Sequence, residues 1–366
     1  MNRPQHGGNL NWAATIAGCP VSALTDFSAS INPLGTPDSA IAAIVKNVSQ
    51  LTAYPDPNYP QLRSQLARHH QLDPEFILPG NGSAELLTWA GRELAQYDTY
   101  LITPAFSDYA RALNAFGGKI LSCPLCKGDW RNVPTGKGAS RCAPTVIPIP
   151  QSPHPQSGLL LNNPHNPTGK LWTINEILPY LEQFELVVID EAFMDFLTPD
   201  REQSLIPMVA EYPNLVILRS LTKFYSLPGL RIGYAIAHPE RLQRWQKWRD
   251  PWSVNTLAAA ATIAAIGDKE FQQQTWNWLA SARSRLFEQL NSIPGLQPFE
   301  GAANYLLVKT EISATKLQKK LLTDYQIVIR DCISFPELGD RYFRIAVRLP
   351  ADNDRLTQAI SFIIQH

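Results

Sequence analysis

Residues 214–237 read NLVILRSLTKFYSLPGLRIGYAIA. Two apolar runs, at 215–218 and 232–236, enclose a turn that carries Lys223 and, eight positions on, Arg231 behind Pro228 and Gly229. An isolated lysine beside a strand is ordinarily a surface group, because charged side chains stay in water unless they are paired. The same pattern recurs upstream in TYLIT (99–103), GLLLNN (158–163) and ELVVID (185–190), each a short apolar run that ends in polar or turn-forming residues. Runs that are apolar on both faces suit strands buried in a parallel sheet. The segments between them, such as SAELLTWAGREL (83–94) and WTINEILPYLEQ (172–183), are long enough for crossover helices. The spacing predicts an α/β fold. In such sheets ligands bind beyond the carboxyl ends of the strands, so Asn162, Asn163, Asp190, Ser220 and Lys223 are read together as one candidate site.

The chain has 366 residues, 45% hydrophobic and 17% charged, enough for two domains or one large domain with an appendage. Lys plus Arg equals Asp plus Glu at 32 each, so no field of one sign favours nucleic acid or an anionic membrane. The N-terminus has no apolar core behind a basic start, and no run reaches membrane-spanning length, so a soluble cytoplasmic protein is expected. Five cysteines are too few and too irregular for a disulfide framework, and the CPLC pair (123–126) has no second pair or neighbouring histidine to complete a zinc set. No metal is expected.

The segment 127–157 is rich in Pro, Gly and Ser, lacks a helical period and reads as an extended surface excursion. Beyond residue 252 the apolar spacing turns helical, and then NYLLVKT (304–310), QIVIRD (326–331) and YFRIAVR (342–348) read as strands. The expected division is an arm over 1–45 that shares a small domain, a large ligand-binding domain over 46–252, and a small α+β domain over 253–366. Gly80, Gly82 and Ser83 stand just before the amphipathic helix expected over 83–94, where free N–H groups and the helix dipole attract anions. A plain N-cap uses Ser83 equally well.

Three stretches together, NNPHNPTG (162–169), VVIDEAF (187–193) and SLTKFYSLPGLRIGY (220–234), resemble the fold type I, aspartate-aminotransferase-like enzymes that use pyridoxal 5'-phosphate (PLP). The resemblance implies a large domain with a mostly parallel seven-stranded sheet between helices, plus a smaller α+β domain. It implies that Lys223 forms the Schiff base with PLP, and that Arg231, Ser220, Thr222, Gly82 and Ser83 hold the cofactor phosphate. Asp190 would keep the pyridine nitrogen protonated, Asn166 would bind the ring hydroxyl, and Phe106 would stack on the ring. Tyr54, in AYPDPNY, would reach the phosphate in a neighbouring subunit, which implies a homodimer with shared active sites. Phe193 stands where many of these enzymes have a tyrosine.

HGGN (6–9), DFSASINPLG (26–35), DPWSVN (250–255), ANYLL (303–307) and RYFRIAVR (341–348) resemble one branch of that family more narrowly. That branch lies close to the histidinol-phosphate aminotransferases and decarboxylates O-phospho-L-threonine to (R)-1-amino-2-propanol O-2-phosphate for cobalamin biosynthesis. The resemblance implies a small phosphorylated amino-acid substrate lined by His6, Gly7, Ser30, Asn166, Arg330 and Arg344. It leaves open which arginine takes the carboxylate and which the phosphate. Ser30 stands where some relatives have asparagine. The rival within the family is histidinol-phosphate amino transfer, and from another class the effector domain of a transcription regulator, which would need a basic DNA-binding module ahead of the fold.

Overall fold

In a computed structural model of the chain, residues 4, 6–125, 147, 149 and 156–366 are described. The chain opens with a helix, Leu10–Ala17, and a two-residue strand, β1 (Thr25–Asp26). Seven strands follow: β2 (Ile77–Gly80), β3 (Asp98–Thr103), β4 (Lys119–Pro124), β5 (Ser157–Asn162), β6 (Leu186–Asp190), β7 (Leu215–Ser220) and β8 (Gly233–Ala237). After the helices Thr256–Gly267 and Lys269–Asn291 come β9 (Leu296–Pro298), β10 (Tyr305–Thr310), β11 (Ile327–Val328), β12 (Arg330–Asp331) and β13 (Tyr342–Ala346).

Strands β2 to β8 form one sheet in the order β2-β8-β7-β6-β5-β3-β4. Apart from the edge strand β4, its strands are buried on both sides. Ile77, Leu159, Val187, Ile189, Ile217 and Ile236 enter one apolar cluster, while their neighbours Leu78, Leu160, Leu186, Val188, Val216 and Ala235 enter the cluster on the opposite face. Side chains of a strand alternate between faces, so burial of both faces removes the polar alternation and leaves continuous apolar runs.

The run at 231–237 differs from the parallel expectation. Strand β8 is antiparallel to both β2 and β7, and Gly233 pairs with Gly80 on one side and Ser220 on the other. Apolar content gives no strand direction, and the connection between β7 and β8 folds as one short helical turn, Leu221–Phe224, and a 3₁₀ turn, Pro228–Leu230, rather than as a crossover helix of the kind that usually joins parallel neighbours. A side chain at Gly233 would lie 2.6 Å from the Ser83 amide nitrogen and 2.7 Å from the Arg219 carbonyl. Glycine there lets the helix Ser83–Leu94 start directly against the sheet. The crossover expected over 172–183 is also shorter than its sequence suggested. Thr173 and Glu176 form a capping box, but α-helix runs only from Ile174 to Ile177 before a 3₁₀ turn, because Pro179 has no N–H to continue it.

The second sheet is antiparallel in the order β12-β13-β10-β9, with the helices Lys269–Asn291, Ala314–Tyr325 and Pro350–Gln365 contributing Leu286, Leu321 and Ile360 to the main apolar cluster. The N-terminal segment joins this side. Strand β1 pairs with β11, and Ala13 of the first helix packs with Leu322 and Val328. Most of the segment 127–157 and Cys126 lie outside the described residues. Ile147 and Ile149, near the end of that segment, are buried in the main core rather than laid on the surface. Among the described residues no helix is long and apolar enough to cross a membrane, and no His, Cys, Asp and Glu cluster is arranged to hold a metal ion.

Candidate active site

Six parallel strands, β2, β3, β4, β5, β6 and β7, end at one edge of the large sheet, and antiparallel β8 begins there. A cavity of about 240 Å³ opens at that edge and is closed from the other side by residues of β12, its following loop and the N-terminal arm. Lys223, Asp190, Ser220, Thr222, Asn166 and Phe106 all line it. So do Ser83, Arg231, His6, Gly7, Ser30, Arg330 and Arg344. Gly82 stands directly behind, with positive φ, and a side chain on it would meet the Arg231 guanidinium at 2.6 Å. Asn163 is not among the lining residues, because its side chain donates to the Trp172 carbonyl and accepts from the Trp172 N–H. Tyr54 is not brought there either. It is 80% exposed and packs on Trp252 at 4.7 Å.

Lys223 sits in a single helical turn, Leu221–Phe224, directly after β7. Asn32 holds that turn from outside. Its backbone N–H donates to the Lys223 carbonyl at 3.0 Å, and its amide donates to the Phe224 carbonyl and to the Thr275 hydroxyl at 2.9 Å each. Burial, with the charges of Arg344 and Arg231, lowers the Lys223 pKa to about 8 against the opposing pull of Asp190. A lysine in that state has a far larger share of neutral, nucleophilic amine near neutral pH than an ordinary lysine.

Asp190 ends β6 and accepts a hydrogen bond from the Tyr109 hydroxyl at 2.7 Å and one from the Ala192 N–H at 3.0 Å. Burial raises its pKa, while those donors and Lys223 oppose the rise. Asn162 links the neighbouring strand, donating to the Asp190 carbonyl and accepting from the Asn166 N–H. Behind the site, Arg219 is fully enclosed by Glu191 (3.0 Å), Asp195 (2.5 Å) and Glu202 (2.5 Å). This ion cluster ties the residue after Asp190 to the residue before Ser220, so the ends of β6 and β7 are held in register on the face away from the cavity. Replacing one partner of such a buried pair strands a charge, which costs about 3–5 kcal/mol.

One end of the cavity gathers the first turn of the helix Ser83–Leu94, the Ser220 and Thr222 hydroxyls 2.8 Å apart, and the Arg231 guanidinium. Gly82 occupies the cap position and no side chain caps the helix, so Ser83 is the first helical residue rather than its cap. The first N–H groups of a helix have no partner within it and bind anions. Arg231 reaches this place because β8 runs backwards from it, and it adopts the left-handed conformation (φ 55°) to do so.

The opposite end is cationic. Arg330 and Arg344 are direct register partners on β12 and β13. Arg344 donates to the Asn166 side-chain oxygen at 2.5 Å and to the Ser28 carbonyl at 3.3 Å, and its buried Nε has no partner. Arg330 donates to the Ser334 hydroxyl at 2.6 Å and to the Pro4 carbonyl. The buried Ser30 hydroxyl also has no partner. Gly7 lies so close to the Ser28 carbonyl that a side chain there would approach it to 2.2 Å, and the Gly8 N–H donates to the Ser28 hydroxyl at 2.8 Å. These contacts lay His6 over the cavity against Phe106, 3.7 Å from the Asp108 carboxylate. Tyr109, Ser28, Asn32, Ser334 and Tyr305 were missed in the sequence. For Tyr109 a signal existed, since it lies three residues after Phe106 on the helix Ser107–Asn114 and so faces the same side.

An anion cradle, a central carboxylate and a desolvated lysine fit PLP, which carries a phosphate, a pyridine nitrogen and an aldehyde. A profile described as "Aminotransferase class I and II" matches residues 22–360. The chain belongs to that family. PLP is accordingly its cofactor. The chain is 37% identical to the threonine-phosphate decarboxylase of Salmonella typhimurium, over 98% of this chain and 96% of that one. It is 29% identical to histidinol-phosphate aminotransferase 1 of Mannheimia succiniciproducens, over 94% and 91% of the two chains. The crystal structure of the histidinol-phosphate aminotransferase from Clostridium acetobutylicum superposes with a TM-score of 0.84 at 27% identity, covering 93% of this chain and 99% of that one.

Proposed function

We propose that this chain is a PLP-dependent decarboxylase acting on O-phospho-L-threonine, releasing carbon dioxide and (R)-1-amino-2-propanol O-2-phosphate, in the cytoplasm and in the service of cobalamin biosynthesis. The observation that carries the reading is the Arg330–Arg344 pair. Like charges directly opposite on paired strands repel. Two guanidiniums aimed into one cavity are therefore suited to a ligand with two anionic groups, and phosphothreonine has a carboxylate and a phosphate. The relative with 37% identity carries the name threonine-phosphate decarboxylase.

In this reading Ser83, Ser220, Thr222 and Arg231 hold the cofactor phosphate, Asp190 holds the pyridine N–H, and Phe106 covers the ring face. PLP supplies an electron sink for the carbon that loses its carboxylate. Arg344 takes the substrate carboxylate, because it has a free buried Nε and is the charge that acts most on Lys223, where the reacting carbon must lie. Arg330 takes the substrate phosphate, with His6 of the arm as a further donor. A carboxylate held fixed by Arg344 would favour loss of that carboxylate over loss of the hydrogen on the same carbon. Asn166 braces Arg344, and Lys223 delivers a proton to the carbon that the carboxylate leaves. The division into an arm and small domain (1–45 and 253–366) and a large domain (46–252) belongs to the same reading.

The test is to incubate the PLP-loaded protein with O-phospho-L-threonine and no keto acid. Equal amounts of carbon dioxide and amine are expected. Amino transfer appearing only with histidinol phosphate and 2-oxoglutarate would move the function to that branch.

A homodimer with shared sites is part of the proposal. Tyr54 continues an exposed apolar strip of Ile41, Val45, Val48, Leu51 and Trp252, a surface suited to a second copy of the chain. Light scattering should return about twice the 40.8 kDa chain mass. Tyr54→Ala should weaken PLP binding although Tyr54 is remote from its own cavity. A monomer with unchanged PLP affinity would remove this part.

A further inference from the structure

Tyr305 opens β10 on the small sheet and is fully buried. Its hydroxyl donates to the His165 carbonyl at 2.8 Å, in the loop that follows β5 of the large sheet. The Arg344 guanidinium lies over its ring, 5.1 Å from the centroid, and the Phe193 ring packs edge-on against it at 5.0 Å. The residue next to His165 is Asn166, which accepts the hydrogen bond from Arg344. The contacts close a ring. Arg344 reaches Asn166, Asn166 is chained to His165, His165 receives the Tyr305 hydroxyl, and the Tyr305 ring returns to Arg344. Each contact in such a ring restrains the others, and a guanidinium over an aromatic face is held in plane and in place. A ring with no hydroxyl, or a hydroxyl with no ring, would leave one side of Arg344 free to turn.

We infer that Tyr305 is a positioning residue that sets the angle of Arg344, and through it the grip on the substrate carboxylate, by anchoring one face of the guanidinium to the 162–169 loop. The inference rests on the assignment of the carboxylate to Arg344. Phe193, which lines the cavity, contributes by packing edge-on against the Tyr305 ring, which gives this position a role that a hydroxylated residue is not needed for.

The experiment measures calorimetrically how the PLP-loaded protein binds 3-phosphoglycerate and 2-hydroxyethyl phosphate. The two ligands differ only by a carboxylate and neither has an amine to react with the cofactor. The wild type should prefer the carboxylate-bearing ligand. Tyr305→Phe should reduce that preference at least fivefold, and Tyr305→Leu further, with affinity for 2-hydroxyethyl phosphate and the absorbance of the lysine-bound cofactor kept. A preference that falls less than fivefold in both variants overturns the inference, and so does an equal loss of affinity for both ligands, which marks a merely structural role. No preference in the wild type overturns the carboxylate assignment itself. Carbon dioxide release from phosphothreonine remains a separate test of the reaction.

Discussion

Replacing Lys223 by Ala is expected to abolish turnover, by about 10⁴-fold or more, and to remove the absorbance that PLP has when joined to a lysine. The effect is large because one group does two tasks, holding the cofactor covalently and moving a proton at the reacting carbon. The phosphate cradle of Ser83, Ser220, Thr222 and Arg231 does not include Lys223, so the variant should still bind PLP without the covalent link. Absorbance spectra before and after dialysis check both statements. A variant that kept the lysine-bound absorbance would sink the assignment. The pH dependence follows from the same amine. Its pKa is lowered from 10.5 to about 8, and only the neutral form attacks an aldehyde. Capture of PLP by the apoprotein should thus rise roughly tenfold for each pH unit below about 8 and level off above it. For an ordinary exposed lysine the rise would continue to about 10.

Replacing Arg344 by Ala should weaken phosphothreonine by about 3 kcal/mol, roughly 10²-fold, and leave PLP affinity within a few fold. The guanidinium donates to Asn166 and Ser28 and keeps its buried Nε for a ligand, so truncation removes a bidentate partner from a carboxylate in a shielded place. Asn166 then loses the donor that braces its side-chain oxygen. Substrate saturation curves beside PLP titrations make the comparison. Selective loss of PLP with unchanged substrate affinity would reverse the assignment. A second expected mark of Arg344→Ala is a larger share of amino transfer among the products, because a carboxylate no longer held upright lets the hydrogen take the reactive position.

Much of the fold was legible because burial leaves a signature in composition. Strands β5, β6 and β7 are covered on both faces, so their sequences are unbroken apolar runs, and their polar ends mark the ligand edge. The direction of β8 was not legible. Antiparallel and parallel buried strands have the same residue types, and only the pairing of Gly233 with both Gly80 and Ser220 shows why Arg231 returns to the edge that Lys223 leaves. Helix extent in 172–183 was misread for a local reason, Pro179, whose effect the periodicity masks.

By itself the sequence determined the chemistry of the groups: a lysine flanked by strand-end polar residues, a carboxylate at the end of a buried run, and an arginine beyond a turn. Their short-range neighbours fix these, since each lies within a motif whose local structure follows from its own residues. Only the tertiary structure decided what they do together. Arg330 and Arg344 lie 14 residues apart in sequence and become neighbours because β12 pairs antiparallel with β13. Tyr305 meets His165 across 140 residues, and Asn32 meets Lys223 across 191. Long-range pairing of this kind depends on which faces are buried against which, and burial is a property of the folded chain rather than of any segment within it.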